Sequence, residues 1–115
     1  ESLDAVQVLI GWMKNKLLEL QKAGVKKEQI IFDIGIGFGK NGAQSIKLLQ
    51  EIDRLRVLDL PLYIGHSNKS FLDDWEIDGC KTREEKTVFI SAYLATKNIE
   101  YLRVHNVIKN CQAIG

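Results

Sequence analysis

Three short apolar runs, QIIFDI (29–34), LYIGH (62–66) and IEYLRVH (99–105), alternate with segments of helical periodicity, and this alternation constrains the chain more than any other feature. Before the first run, Val6, Leu9, Ile10, Met13, Leu17 and Leu20 recur at the spacing of one helix face, with Ser2 placed to cap the helix and Gly24 to end it. Between the first two runs, Ile46, Leu49, Ile52 and Leu55 predict a second helix that stops before Pro61. Thr82 and Glu85 form the S/T-x-x-E capping box of a third helix that runs through Val88, Phe89, Ala92 and Leu94. VIKNCQAIG, after the last run, opens a fourth. Strand and helix in strict alternation predict parallel strands joined by right-handed helical crossovers.

Parallel strands need cover on both faces, or closure into a barrel. A complete eight-stranded α/β barrel takes roughly 250 residues, and this chain has 115. The expected fold class is therefore α/β, a portion of a TIM-type (β/α)8 barrel, with residues 1–115 forming one piece incomplete at both ends.

Charge and cysteine usage narrow the function classes. A formal net charge of +1 offers no basic excess to neutralise nucleic-acid phosphates. No apolar stretch is long enough to span a bilayer, and the first residues lack a signal-peptide pattern, so no membrane partner is expected. Cys80 and Cys111 lie outside any metal-ligand spacing and read as free thiols of a reducing compartment, the cytoplasm. The acidic stretch LDDWEID (72–78) reads as a solvated loop, because hard cations need convergent oxygens. His66 reads as a strand-end packing residue rather than a ligand.

The glycine-rich stretch FDIGIGFGK (32–40) raises the question of phosphate binding. A P-loop requires G-x-x-x-x-G-K-[ST]; with Gly39-Lys40 as its G-K pair, Ile34 and Asn41 occupy the positions of the first glycine and the hydroxyl residue. That motif fails. Gly37 to Gly42 does satisfy G-x-G-x-x-G, but the next strand ends at Gly65-His66 without the carboxylate that would hold a ribose. Asp33, at the mouth of the turn, would repel a pyrophosphate. A tight turn that simply needs glycine dihedrals stays open for the glycines taken alone.

The carboxyl ends of the three strands carry the stronger signal, since that is where parallel α/β domains bind ligands. The first ends in Asp33, the second runs into GHSNKS with Lys69 and Ser70, and the third ends with Arg103 and His105. Arg103 and His105 share parity and so point to one side, about 7 Å apart by strand rise. An arginine in an apolar strand calls for an anionic partner. A structural ion pair with Asp33 would supply one. A ligand with a hydrogen-bonding heterocycle for Asp33 and a phosphate for the three cations would supply another.

FDIGIGFGK, GHSNKSF and YLRVHNV, in that order and at these separations, resemble dihydropteroate synthase. The resemblance covers essentially the whole chain. It implies that the three strands are the sixth, seventh and eighth of the family's (β/α)8 barrel. It also implies an activity: condensation of 6-hydroxymethyl-7,8-dihydropterin diphosphate with p-aminobenzoate to give 7,8-dihydropteroate and pyrophosphate. By the same resemblance Asp33 binds the pterin's amino and ring N–H edge, and Lys69 lies between the two substrates. Ser70 and Phe38, with Gly37 in the glycine turn, adjoin the p-aminobenzoate pocket, while Arg103 and His105 take the pyrophosphate side. Catalysis is then expected from Lys69, Arg103 and His105. A magnesium ion is implied, held by residues outside this chain, as is a homodimer formed through the late helices. The 115-residue piece alone is expected to be inactive.

Two positions depart from the family pattern. Ile34 stands where proline commonly follows the aspartate, which should change turn stiffness only. Asn68 stands where arginine usually precedes the lysine, putting substrate affinity or loop order in question. Other readings are a methyltetrahydrofolate–corrinoid methyltransferase, which needs the pterin carboxylate but no pyrophosphate clamp, and a non-catalytic pterin-binding module.

Overall fold

The computed structural model describes residues 4–36 and 42–115. Helix α1 (Ala5–Lys22) leads to strand β1 (Phe32–Asp33), α2 (Gly42–Gln50), β2 (Leu62–Ile64), α3 (Arg83–Thr96), β3 (Tyr101–Leu102) and α4 (Val107–Ile114). The strands form one parallel sheet in the order β1-β2-β3, with Phe32 opposite Leu62, Tyr63 opposite Tyr101, and Ile64 opposite Leu102. The predicted order and parallel sense hold. The strands are shorter than the apolar runs, although backbone bonds from Ile34 N to Tyr63 O and from Arg103 N to Ile64 O carry the ladder one residue further.

The sheet is clothed on one side. Phe32, Ile34, Leu62 and Ile64 are buried in a core with Leu48, Leu49, Leu72, Ile90 and Leu94. Alternate residues face the other way: Ile31 is 51% exposed and Tyr101 46%, and Asp33 and Arg103 are exposed as well. Alternation of side chains across a strand puts these residues on the face that no helix among the described residues covers. The run QIIFDI, apolar apart from Asp33, is covered on one face only among the described residues.

Local chemistry explains where the helices begin and end. Asp4, not Ser2, caps α1, its carboxylate accepting from Val6 N at 3.0 Å; Ser2 lies outside the described residues. Gly24 follows the helix at φ +92°, as expected of its terminator. The α3 capping box forms as predicted: Thr82 Oγ1 accepts from Glu85 N at 3.1 Å and Glu85 Oε1 accepts from Thr82 N at 3.0 Å.

Two expectations need correction. The second helix does not run on to Pro61: α2 stops at Gln50, and Ile52–Leu58 is a 3-10 helix. Its buried residues Ile52, Leu55 and Leu58 are spaced strictly by three, the 3-10 period, so a tighter winding keeps all of them inward. On α3 the inward residues are Lys86, Thr87, Ile90, Ser91 and Leu94, while Phe89 is 52% exposed. Hydrogen bonds rather than apolarity satisfy that face, as in Lys86 Nζ donating to the Leu72 carbonyl at 2.8 Å. Finally, 72–78 is only partly a solvated loop, because Leu72 is fully buried within the 3-10 segment Ser70–Asp74.

A clamp fixes the amino ends of the strands. Glu100 Oε1 accepts from Leu62 N at 2.9 Å, and Arg56 Nη1 donates to both Glu100 oxygens at 3.0 Å. Arg56 Nη2 also donates to the carbonyls of Lys97 and Asn98. One guanidinium thereby ties the 3-10 helix, the end of α3 and the start of β2.

Candidate functional site

Asp33, Lys69 and Arg103 come from the carboxyl ends of three neighbouring strands. Asp33 closes β1 on the uncovered face, its Oδ1 accepting from Gly35 N at 2.9 Å in a local turn. The ion pairs of the described residues that involve arginine join Arg54, Arg56 and Arg83 to carboxylates. Asp33 and Arg103 are not so joined, and the structural pair between them that the sequence left open does not form.

Beyond β2 the chain must turn over the end of the sheet. A methyl group at Gly65 would lie 3.8 Å from Lys69 Nζ and 3.9 Å from Arg103 Cβ, so the ammonium and the arginine stem converge over a glycine floor. Lys69 Nζ donates to the Ile36 carbonyl at 2.7 Å, bridging the loops after β1 and β2. Its pKa is lowered, first by burial and further by Arg103, with Asp33 opposing. A lysine held this way gives up its proton more readily than a solvated one.

Asn68 is what lets the turn reach Lys69. It sits in the left-handed region at φ +54°, which asparagine tolerates better than other side chains with a Cβ. Its N–H donates to Thr87 Oγ1 at 3.0 Å, and that hydroxyl donates to the Arg83 carbonyl at 2.7 Å. The missing cation at this position therefore does not leave the loop unpinned. Ile34 has a comparable explanation: its N–H donates to Tyr63 O at 3.4 Å and its side chain is buried, whereas a proline would lack the donor. More than turn stiffness is involved.

His105 is held by a residue that the sequence reading did not single out. Ser67 Oγ accepts from His105 N at 3.1 Å and lies 2.7 Å from His105 Nδ1. With the hydroxyl proton given to Nδ1, Nε2 carries the ring proton and is left as a donor. The available signal was a serine inside GHSNKS, two residues before Lys69. Ser70 follows Lys69, exposed, at the start of its 3-10 segment. Gly37 and Phe38 lie outside the described residues. His66 is fully buried.

Electrostatically the site is a carboxylate at one edge, the Lys69 ammonium and the Arg103 stem over Gly65, and the His105 imidazole beyond. The pterin-binding enzyme family matches residues 1–105. The chain belongs to that family. It is 36% identical over 114 residues to a dihydropteroate synthase of Clostridium beijerinckii, covering 98% of this chain and 42% of that protein. It superimposes with TM-score 0.84 and 33% identity on dihydropteroate synthase of Anaplasma phagocytophilum, solved with bound 6-hydroxymethylpterin-monophosphate, covering 96% of this chain and 41% of the other. A dihydropteroate synthase of Xanthomonas albilineans, solved with 4-aminobenzoic acid, gives TM-score 0.87 at 26% identity over 99% of this chain and 44% of its own. The chain thus spans between 12% and 42% of the length of curated relatives it matches. Within this pterin-binding family, the one-sided parallel sheet is a section of a barrel, and its uncovered face is the barrel's inner face.

Proposed function

We propose that the protein carrying this chain is a dihydropteroate synthase, joining 6-hydroxymethyl-7,8-dihydropterin diphosphate to p-aminobenzoate with release of pyrophosphate. The observation that carries this reading is the convergence of Lys69 and Arg103 over Gly65, with Asp33 on the neighbouring strand of the same open face. The names of the relatives and the ligands of the two solved neighbours support it.

The chemistry asks for these groups. The C–O bond to the diphosphate breaks with its electron pair leaving on pyrophosphate, the amine nitrogen bonds to the pterin methylene, and that nitrogen then loses a proton. Arg103 and the Nε2 donor of His105 stabilise the departing charge, arginine through a planar fork matched to phosphate oxygens. Asp33 accepts from the pterin N–H edge and fixes the ring. Lys69 lies between the substrates, and Ser70, with Gly37 and Phe38, adjoins p-aminobenzoate. Among the described residues no group of three or more His, Cys, Asp or Glu could hold a metal ion. These residues do not fit a magnesium site, and no step is routed through one.

A cytoplasmic homodimer completes the proposal. Cys80 and Cys111 are free thiols, and no helix among the described residues is long and apolar enough to cross a membrane. Phe89, Val107 and Ile108 are exposed apolar residues on the late helices α3 and α4. Sedimentation of the intact protein at twice the monomer mass is the expected result.

The deciding experiment measures pyrophosphate release by the intact protein with and without p-aminobenzoate, for wild type and Lys69→Ala. Release that depends on p-aminobenzoate and falls by about 100-fold or more in the variant is expected for a positioned active-site group. A folded, pterin-binding protein with no such release would move the function to methyl transfer or to a non-catalytic module.

A further inference from the structure

His66 is a fully buried histidine at the end of β2. Its Nε2 lies 2.9 Å from Ser91 Oγ on α3, and Ser91 Oγ donates to Asn110 Oδ1 on α4. Asn110 Nδ2 donates at 2.7 Å to the carbonyl of Asn106, the cap of α4 and the residue after His105. The direction of the chain follows from donor and acceptor counting. Asn110 presents its amide nitrogen to a carbonyl, so its oxygen faces Ser91. The single Ser91 proton goes to that oxygen, and only a lone pair remains for His66, so Nε2 must carry the ring proton.

His66 Nδ1 is then a bare acceptor, and it is buried without a hydrogen-bond partner. Burying an unpaired polar atom costs free energy that an apolar side chain of similar size would not incur. Packing alone therefore does not account for a histidine here; donation from Nε2 does. The neighbouring Ser67 grips His105 directly, so consecutive residues of one loop act on the same turn, one by contact and one through two helices.

We propose that His66 is a positioning residue for the phosphate-binding end of the site, holding the β3–α4 turn and His105 in place through Ser91 and Asn110. This inference rests on the synthase reading for its substrate. A tether of this kind acts on one end of the site, so its loss should weaken the diphosphate substrate and spare p-aminobenzoate.

The test compares His66→Leu, which keeps bulk and loses the donor, with His66→Gln, whose amide nitrogen can replace Nε2, in the intact protein. In His66→Leu the KM for the pterin diphosphate should rise about tenfold, and amide exchange at 107–110 should quicken about tenfold, as for one lost buried hydrogen bond. The KM for p-aminobenzoate should stay within about twofold, and His66→Gln should recover most of both effects. Ser91→Ala cuts the same chain one step on and should reproduce the leucine phenotype, including where His66→Leu does not fold. Equal damage in the leucine and glutamine variants, no change in the leucine variant, or faster exchange across all helices alike would overturn the proposal. If the wild type releases no pyrophosphate on adding p-aminobenzoate, the synthase reading fails, and exchange at 107–110 alone decides whether the tether exists.

Discussion

Single residues at the end of β2 carry consequences out of proportion to their number. Burial pushes the His66 imidazole down to about 4, and the Lys69 charge adds to the push. Its folded pKa lies below its unfolded value, so the unfolded chain takes up the proton first as pH falls. The His66 contribution to stability is constant above about pH 6.5, declines through the window down to about 4, and is then exhausted, on the order of 3 kcal/mol in all. Urea midpoints of wild type and His66→Gln, taken across that window, should diverge in slope; parallel curves would contradict it. Asn68 makes a second prediction. Arg in its place would occupy φ +54° without asparagine's tolerance of that region, and Asn68→Arg should cost about 1 kcal/mol in the same titration.

Secondary-structure elements differ in how much of them could be read from sequence. The α3 capping box was legible because both of its bonds run between residues three apart. What escaped depended on neighbours. The inner face of α3 is defined by what Asn68, Leu72 and His66 demand of Thr87, Lys86 and Ser91, and no apolar period marks such a face. Ser67 escaped for the same reason, since its role comes from His105, 38 positions away. The Arg56 clamp was equally invisible. Arg56→Ala removes bonds to Glu100 and to two carbonyls and leaves a part-buried carboxylate facing Leu62 N. Its expected cost is about 1–3 kcal/mol, with activity per folded molecule unchanged, because the clamp sits at the opposite end of the strands from Lys69. Thermal melting together with active-site-normalised turnover checks both halves of that statement.

At the scale of the whole molecule, fold class was readable because the alternation of runs leaves few topologies, and the site because its residues fall at the ends of those runs. The inner barrel face was not. QIIFDI looks buried on both sides until the sheet is seen with helices on one side only. Both outer strands, β1 and β3, also have an edge that no strand among the described residues pairs. Unpaired edges next to an apolar face recruit other strands, so the 115 residues expressed alone should self-associate in light scattering and release no pyrophosphate. A monodisperse, active preparation would refute this.

The same pair of free edges makes the chain one half of a possible two-piece protein. Arg56 and Glu100 tie the start of β2 to the chain entering β3 from within, at the end away from Lys69. Co-produced with a second polypeptide carrying the remaining strands of a relative's barrel, it has the hydrogen-bonding rows to be stitched in at both sides. Turnover would then appear only when both pieces are present, making the cut barrel a reporter of its own reassembly.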